Sequence, residues 1–380
     1  MNNFFDTYNK KDCNGCSVCA LRCPIKCIDM IEDNEGFLYP KIDEKRCIKC
    51  GICKKVCPNY TPKISLKGDT YIAINNNTNE KRRSSSGGMF YPLARYAISK
   101  GGVVFGVTFN EELKAVHDYA ENLEDAKKFQ GSKYVRSNLN NSYQRVEQFV
   151  KNGKLVLFTG TPCQCQGIRG YLKNGHDNLI TCEIVCHANP SPKIFEMYKK
   201  NIEEKYSKKI KNIYFRSKEN GWHNQTPIIE FMDGQKIEEN SYFIAFVHEL
   251  INRPSCYDCR FCTEKRFSDF SIADLWGIEK IDNSVVDDDT GISLFNVNTD
   301  RGREILEEIK KEIRLKKVDT NLAFSYNHHF NIPYHKNRTR FFYEISNNKI
   351  DEHNIIKKMN KYTKKPLYKK IHNRIKEIIK

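Results

Sequence analysis

Cys13-Asn14-Gly15-Cys16-Ser17-Val18-Cys19-Ala20-Leu21-Arg22-Cys23-Pro24 decides how this chain is read, because the pattern returns as Cys47-Ile48-Lys49-Cys50-Gly51-Ile52-Cys53-Lys54-Lys55-Val56-Cys57-Pro58. Both runs are C-x2-C-x2-C-x3-C-P, the spacing that holds [4Fe–4S] clusters in two-cluster modules. Three thiolates within seven residues can wrap three corners of one cubane. The fourth corner needs a ligand from elsewhere, and the last Cys of each run serves the other cluster. The spacing therefore predicts one cluster on Cys13, Cys16, Cys19 and Cys57, and a second on Cys47, Cys50, Cys53 and Cys23. Cys27 is left over and is expected to be structural. Gly51 is expected to let the backbone come close to sulfur, where amide N–H groups tune the potential. Zinc would favour separated C-x2-C pairs. A disulfide knot would imply secretion, and the N-terminal residues, with Asn2, Asp6 and Lys10, do not read as a signal peptide.

The remaining residues make a second, larger unit. At 380 residues the chain is long enough for two or three domains. Hydrophobic content of 39% and a mean hydropathy of −0.66 fit a water-soluble protein with a real core. Sixteen cysteines without a secretory signal point to the reducing cytoplasm, with thiols used for metal. The net charge of +16 is concentrated at the C-terminal end, where residues 357–380 hold ten Lys or Arg and one acid, Glu377. Elsewhere bases are mixed with acids, which argues against a nucleic-acid face. Leu367, Ile371, Ile375 and Ile378 add an apolar stripe to the basic end. Such a helix reads as a peripheral membrane-surface element, as a partner dock, or as a solvated end.

Organisation follows from composition and periodicity. Residues 1–62 form the two-cluster ferredoxin module. Beyond it, strand and helix signals alternate: strands at 71–75, 103–109, 155–158, 179–185, 210–215 and 228–232, and helices at 89–100, 192–206, 242–251 and 301–313, with another reaching Leu172. The predicted fold class is α+β, a ferredoxin module followed by an α/β body with a mixed sheet. The expected boundaries are 63–150 and 151–325 within the body, and 326–380 for the basic tail.

Four stretches of the body carry chemistry. Lys81-Arg82-Arg83-Ser84-Ser85-Ser86-Gly87-Gly88 precedes a helix, and reads as a phosphate cradle or as a flexible linker with a good cap. Thr159-Gly160-Thr161-Pro162-Cys163-Gln164-Cys165 lies where a strand meets a helix, the place where α/β folds bind ligands. Cys163 there reads as a cluster ligand, a redox thiol or a packed small residue. Cys182 and Cys186-His187 follow, then Cys256-x2-Cys259-x2-Cys262 leading to Asp274-Leu275-Trp276-Gly277. Seven body cysteines are too many for packing alone and suffice for a third cluster.

These residues carry a resemblance. Ser85-Ser86-Gly87-Gly88-Met89-Phe90, Gly131 through Ser137, Gly160-Thr161-Pro162-Cys163-Gln164, Cys186-His187 with Pro190-Ser191-Pro192-Lys193, and Arg253 through Gly277 resemble, in order, the coenzyme F-420 hydrogenase/dehydrogenase beta-subunit family, in the branch with an N-terminal ferredoxin domain. The resemblance implies a flavoprotein that binds FAD beside a [4Fe–4S] cluster. Electrons would pass between a ferredoxin-type donor, clusters and flavin, with hydride exchange to a small conjugated or deazaflavin-like substrate. The family's namesakes act on the deazaflavin coenzyme F-420, relatives reduce other conjugated molecules, and some bacterial members accompany polysaccharide-synthesis genes.

Carried onto this chain, the resemblance implies Ser86, Gly87 and Gly88 at the flavin phosphates. It implies Lys133 and Tyr134 on the flavin or substrate face, and Gly160 and Thr161 as a backbone edge to the isoalloxazine. Cys163, Cys186, Cys256 and Cys259 are the implied ligands of the third cluster, with Cys262 as competitor and Cys165 and Cys182 as packing residues. His187 and Asp274 are candidate proton relays or hydrogen-bonded structural groups. Ala188-Asn189 stands where the family tends to have Gly-Val, and Ala273-Asp274-Leu275 where Gly-Asp-Phe is usual. The expected partners are an electron donor or acceptor protein and a small-molecule substrate. The rival expectation is a non-catalytic electron-transfer or docking subunit of a larger assembly.

Overall fold

The computed structural model describes residues 9–60, 66, 68–173, 176–327 and 330–364. The two cysteine runs repeat each other in backbone as well as in sequence. In each, the residues two and four places after the first cysteine are left-handed: Gly15 (φ 63°) and Ser17 (φ 61°), then Lys49 (φ 55°) and Gly51 (φ 71°). Each run then makes a single helical turn, Val18–Leu21 and Ile52–Lys55. A Cβ at Gly51 would meet nothing within 4 Å. Gly51 takes a left-handed backbone conformation (φ 71°) that glycine adopts without strain. Between the runs, β1 (Ile28–Glu32) and β2 (Leu38–Ile42) form an antiparallel hairpin.

The body is built on eight strands: β3 (Asp69–Asn75), β4 (Val103–Phe109), β5 (Ala115–Ala120), β6 (Val156–Gly160), β7 (Leu179–Ile184), β11 (Phe270–Asp274), β12 (Ser293–Val297) and β13 (Ile313–Val318). Their order is β13-β3-β12-β11-β7-β6-β4-β5. The four central strands β4, β6, β7 and β11 run parallel, and the flanking pairs are antiparallel. This is the mixed sheet that the sequence predicted. Strands buried on both faces read as continuous apolar runs, which is why β4 and β6 were legible. A smaller antiparallel sheet, β8 (Ile210–Tyr214), β9 (Ile228–Phe231) and β10 (Lys236–Glu238), closes one side.

Three expectations need correction. The helix expected over 301–313 ends at Ile309, and Ile313 opens edge strand β13, whose side chains alternate between buried and solvent-facing. The helix expected over 242–251 ends at Val247, and Glu249 turns left-handed (φ 64°). Residues 326–380 are not all tail. Helices Arg338–Ser346 and Ile355–Thr363 bury Phe341, Ile345, Ile355 and Met359 in the core that holds Ile194, Phe195 and Tyr242. The apolar stripe from Leu367 to Ile378 lies outside the described residues. Among the described residues, no helix is long and apolar enough to cross a membrane.

The ferredoxin module is bonded to the body by its first-run end. Arg253 donates to the Cys13 carbonyl at 2.6 Å and the Leu38 carbonyl at 2.9 Å, and lies 4.2 Å from the ring centre of Tyr39. Arg338, almost fully buried, forks onto Glu35. Arg260 donates to the Asn59 carbonyl at 2.6 Å. Helix Pro162–Leu172 presents Gly167 and Gly170 to the module. A Cβ at these positions would stand 3.3 Å from Cys16 Cβ and 2.6 Å from the Val56 carbonyl oxygen. Small residues here let the first cluster loop lie against the helix that carries Cys163.

Candidate functional site

The module's eight motif cysteines separate into the two expected groups. Cys13, Cys16, Cys19 and Cys57 line one small cavity together. Burial pushes the Cys16 and Cys19 thiols up, and the neighbouring Cys57 and Cys13 add to the shift. Four clustered thiols, Cys13 and Cys16 buried and Cys19 and Cys57 partly so, suit a cationic cluster, whose binding displaces their protons. Cys23, Cys47 and Cys53 pack around a second centre, with Cys50 beside Cys53. Cys27 belongs to this second group more closely than a leftover residue would. Its Sγ is 3.5 Å from Cys23 Sγ and its N–H donates to Cys23 Sγ at 3.4 Å. Burial and the contact with Cys23 push the Cys27 thiol up to about 12.

The body brings together the four thiols named for a third cluster. Cys186 is held protonated first by burial and then by the nearby Cys256, Cys163 and Cys259. Cys259 has the same causes, burial and then Cys256 and Cys163. Cys163 sits in the first turn of helix Pro162–Leu172, whose capping box pairs Thr161 with Gln164. Its Sγ accepts from Arg136 Nη1 at 3.4 Å, and Cys256 Sγ accepts from the Asn189 amide at 3.4 Å. Cys262 turns away, donating to the Phe330 carbonyl at 2.9 Å. Cys165 and Cys182 are fully buried in the core. Among the described residues no three His, Cys, Asp or Glu side chains converge on a single ion. A cubane spreads its thiolates over separate irons, so this donor set fits a cluster better than a lone metal. Cys16 feels the charge of Cys163, so the module's first group and the body group are neighbours.

Above these thiols opens a cavity of about 550 Å³. It lies at the carboxyl ends of the parallel strands, where Gly160 closes β6, Ile184 closes β7 and Asp274 closes β11. Its volume is that of a cofactor site. Ser86, Gly88, Lys133, Tyr134, Gly160, Thr161, Cys186, His187 and Asp274 all line it. Gly87 does not face it: a Cβ there would meet the Ala73 carbonyl at 2.5 Å and the Ser293 amide at 2.7 Å, so Gly87 packs against β3 and β12. The three cations before the serines also stay outside. Thr78–Arg83 is a short helix, Lys81 is buried toward Asp288, and Arg82 and Arg83 are exposed. Ser86 Oγ is engaged by the Ile292 carbonyl (2.7 Å), and the Gly87 N–H by Ser293 Oγ (2.9 Å). The Thr161 N–H is likewise spent on Gln164 (3.0 Å). The small-residue loop thus supplies shape, with part of its hydrogen bonding used internally.

Charge in the cavity comes from residues that sequence reading passed over. Arg216, 4% exposed in its side chain, donates to Asp274 at 2.7 Å and Tyr134 Oη at 3.2 Å. Burial works against its charge, but Tyr134 and Asp274 outweigh that and hold the guanidinium above its ordinary range. Arg216 Nη2 is buried without a hydrogen-bond partner among the described residues, a donor left over for a bound anionic group. Among the described residues Lys133 donates to the Lys128 and Gln130 carbonyls, and burial pushes it down to about 7. Lys218 braces the serine loop through the Ser86, Lys81 and Thr290 carbonyls. Trp222 and Trp276 stack at 4.3 Å, with Trp222 Nε1 donating to Asp274 at 3.3 Å. His187 Nε2 meets Glu249 at 3.0 Å. One more cation, Arg136 of the Gly131–Ser137 stretch, lies outside the cavity lining and bonds Cys163 and the Gly15 carbonyl instead.

Comparison with known proteins agrees with this architecture. A model for the C terminus of the coenzyme F420 hydrogenase/dehydrogenase beta subunit matches residues 153–321, and a 4Fe-4S dicluster domain matches residues 12–60. Residues 153–321 carry the C-terminal domain of the coenzyme F420 hydrogenase/dehydrogenase beta-subunit family, behind a 4Fe-4S dicluster domain. The matched C-terminal region holds Cys163, Cys186, Cys256, Cys259 and the Arg216–Asp274 wall of the cavity. The chain is 37% identical over 65 residues to NADH-quinone oxidoreductase subunit I of Pelobacter propionicus, 15% of this chain and 34% of that one. It is 40% identical over 57 residues to NADH-quinone oxidoreductase subunit I 2 of Geobacter metallireducens, 14% of this chain and 44% of that one. The chain thus spans less than half the length of these curated relatives. A chain of the F420-reducing [NiFe] hydrogenase complex from Methanosarcina barkeri aligns with a TM-score of 0.47 and 16% identity, over 79% of this chain and 93% of that one. The family and domain matches make the chain an iron–sulfur protein of the electron-transferring oxidoreductase type.

Proposed function

We propose that this protein is a cytoplasmic iron–sulfur flavoprotein oxidoreductase. It relays electrons between a ferredoxin-type donor and FAD, and exchanges hydride with a small conjugated or deazaflavin-like substrate. One observation carries the reading: the cavity at the sheet's carboxyl edge is walled by Cys186 of a four-thiol group, and that group adjoins the module's first cysteine set through Cys163 and Cys16. When bound, clusters would supply single-electron transfer and the flavin would couple it to two-electron chemistry.

The chain's own residues position and protect. Cys163, Cys186, Cys256 and Cys259 would hold the third cluster. Ser86, Gly88 and Gly160 shape the wall for the flavin, and Lys133, Tyr134 and Arg216 supply its polar contacts, Arg216 offering its unpaired Nη2 to an anionic group. Trp276, backed by the stacked ring of Trp222, gives an apolar wall that excludes water. His187, anchored by Glu249, and Asp274, anchored by Arg216, are the groups placed to hold a proton at the cavity. The rival reading, an electron-transfer subunit without turnover of its own, is favoured by relatives that are named as subunits.

Iron, sulfide and flavin quantitation on one anaerobically purified sample tests this. About twelve irons and one flavin per chain support the proposal, whereas about eight irons without flavin leave a two-cluster docking subunit.

A further inference from the structure

The module presents its second cysteine run outward. Its first-run end is fastened to the body by Arg253 and Arg136, while Cys50, Lys45, Arg46, Lys49, Lys54 and Lys55 of the second run are exposed. Ile48, next to Cys47, is 63% exposed. Residues 45–55 hold five Lys or Arg and no acid. Among the described residues Lys45, Arg46, Lys49 and Lys54 pair with no carboxylate; Arg46 donates one guanidinium nitrogen to the Ile25 carbonyl at 2.9 Å, and the three exposed lysines face solvent. Lys26, exposed nearby, adds to it, and Asp43 and Glu44 are the acids at its margin.

We propose that this face docks an acidic electron-carrier protein, with Ile48 as the apolar centre and the ring of lysines as the steering charge. The proposal rests on the reading of the module as the electron-exchange end of the chain. Three features point to this occupant. An electron path needs close approach, and Cys50 is the motif cysteine that stands exposed at the surface. A small apolar centre ringed by one sign of charge suits a transient protein complex, in which complementary charge raises the encounter rate more than the final affinity. The patch is also confined to the cluster loop, whereas a surface for nucleic acid or lipid has no reason to centre on a cluster ligand.

The test uses the full-length, cluster-loaded protein and an acidic bacterial two-cluster ferredoxin as probe. Binding is followed calorimetrically at about 20 mM and about 300 mM salt, which bracket strong and weak screening. The expected result is binding at low salt that weakens roughly tenfold or more at high salt, and by a similar factor at low salt in a Lys45→Glu/Lys54→Glu variant. A Lys45→Gln/Lys54→Gln variant should fall between, which guards against a folding defect. Reduction by the neutral zwitterion propyl viologen sulfonate reports separately on the relay reading and should be equal in all three proteins. Ferredoxin binding that ignores both salt and charge reversal would overturn the docking face. So would charge-dependent binding of phosphatidylserine vesicles or duplex DNA with none of ferredoxin.

Discussion

The guanidinium of Arg136 donates from Nη1 to Cys163 Sγ across 3.4 Å. Its Nη2 donates to the Gly15 carbonyl at 3.1 Å, inside the first cluster loop. One buried cation therefore touches both the body thiols and the module. Burial works against its charge, and the adjacent Cys163 more than restores it. A positive group hydrogen-bonded to a cluster ligand favours the reduced, more negative state. Arg136→Gln should lower the reduction potential of the body centre by on the order of 60 mV, a tenfold change in a one-electron equilibrium. Arg136→Lys should move it less. A redox titration followed by electron paramagnetic resonance reads the shift, and an unmoved potential would remove Cys163 from the ligand set.

The thiol assignments make a sharper division. Cys163→Ala, Cys186→Ala, Cys256→Ala and Cys259→Ala should each lower iron by about four per chain. Cys262→Ala should keep the full iron content, because its thiol already donates to the Phe330 carbonyl. Cys165→Ala and Cys182→Ala should also keep it and cost only packing, on the order of 1 kcal/mol for a small buried side chain. Iron analysis on the purified variants decides among them, and an iron loss in Cys262→Ala would exchange it with Cys259.

His117 gives a pH signature in the fold itself. It is buried between the Thr159 carbonyl (3.1 Å) and Ser137 Oγ (3.1 Å), stacked on Phe158. Burial, opposed by the Thr159 contact and helped by Arg136, pushes it from about 6.5 down to about 3. A neutral native histidine means the unfolded chain binds the extra proton between these values. Stability from this site is full above pH 6.5 and is lost as pH falls toward 3, by up to about 1.4 kcal/mol per pH unit. Between pH 6 and pH 5 the wild-type chain should lose about 1 kcal/mol more than His117→Gln. Urea unfolding at the two pH values measures the difference, and parallel losses would mean that His117 is not the titrating group.

How far the sequence reached follows from where each signal is stored. Cluster ligation is local, so the thiols of the two runs were legible from spacing alone, and the apolar runs Val103–Phe109 and Leu179–Ile184 announced buried parallel strands. Edge strand β13 has a weaker signature: Ile-Arg-Leu-Lys-Lys-Val alternates, but it follows a helix without a glycine or proline to mark the change. The cavity's charge was hidden for a different reason. Arg216 follows β8 and Asp274 ends β11, and only the closing of the small sheet against the large one brings them together. The cation-rich lead to the serine loop misled because a charge run says nothing about which face it occupies once Thr78–Arg83 becomes a helix.

Asp274 and Arg216 allow a structural role to be separated from a binding one. The pair is largely buried, at 18% and 4% side-chain exposure. Asp274 also accepts from Trp222, which stacks on Trp276. Removing one partner leaves the other charge buried alone, so Asp274→Asn should cost about 3 kcal/mol. Replacing both with apolar residues of similar size, Arg216→Met with Asp274→Leu, removes the stranded charge and should recover most of that loss. It also deletes the Nη2 donor that has no partner among the described residues. The double variant should therefore unfold near the wild-type urea midpoint while binding FAD at least tenfold more weakly, a loss of about 1.4 kcal/mol. Unfolding curves and flavin fluorescence titrations on the same preparations read both quantities. Wild-type flavin affinity in a stable double variant would confine the pair to holding the cavity wall together.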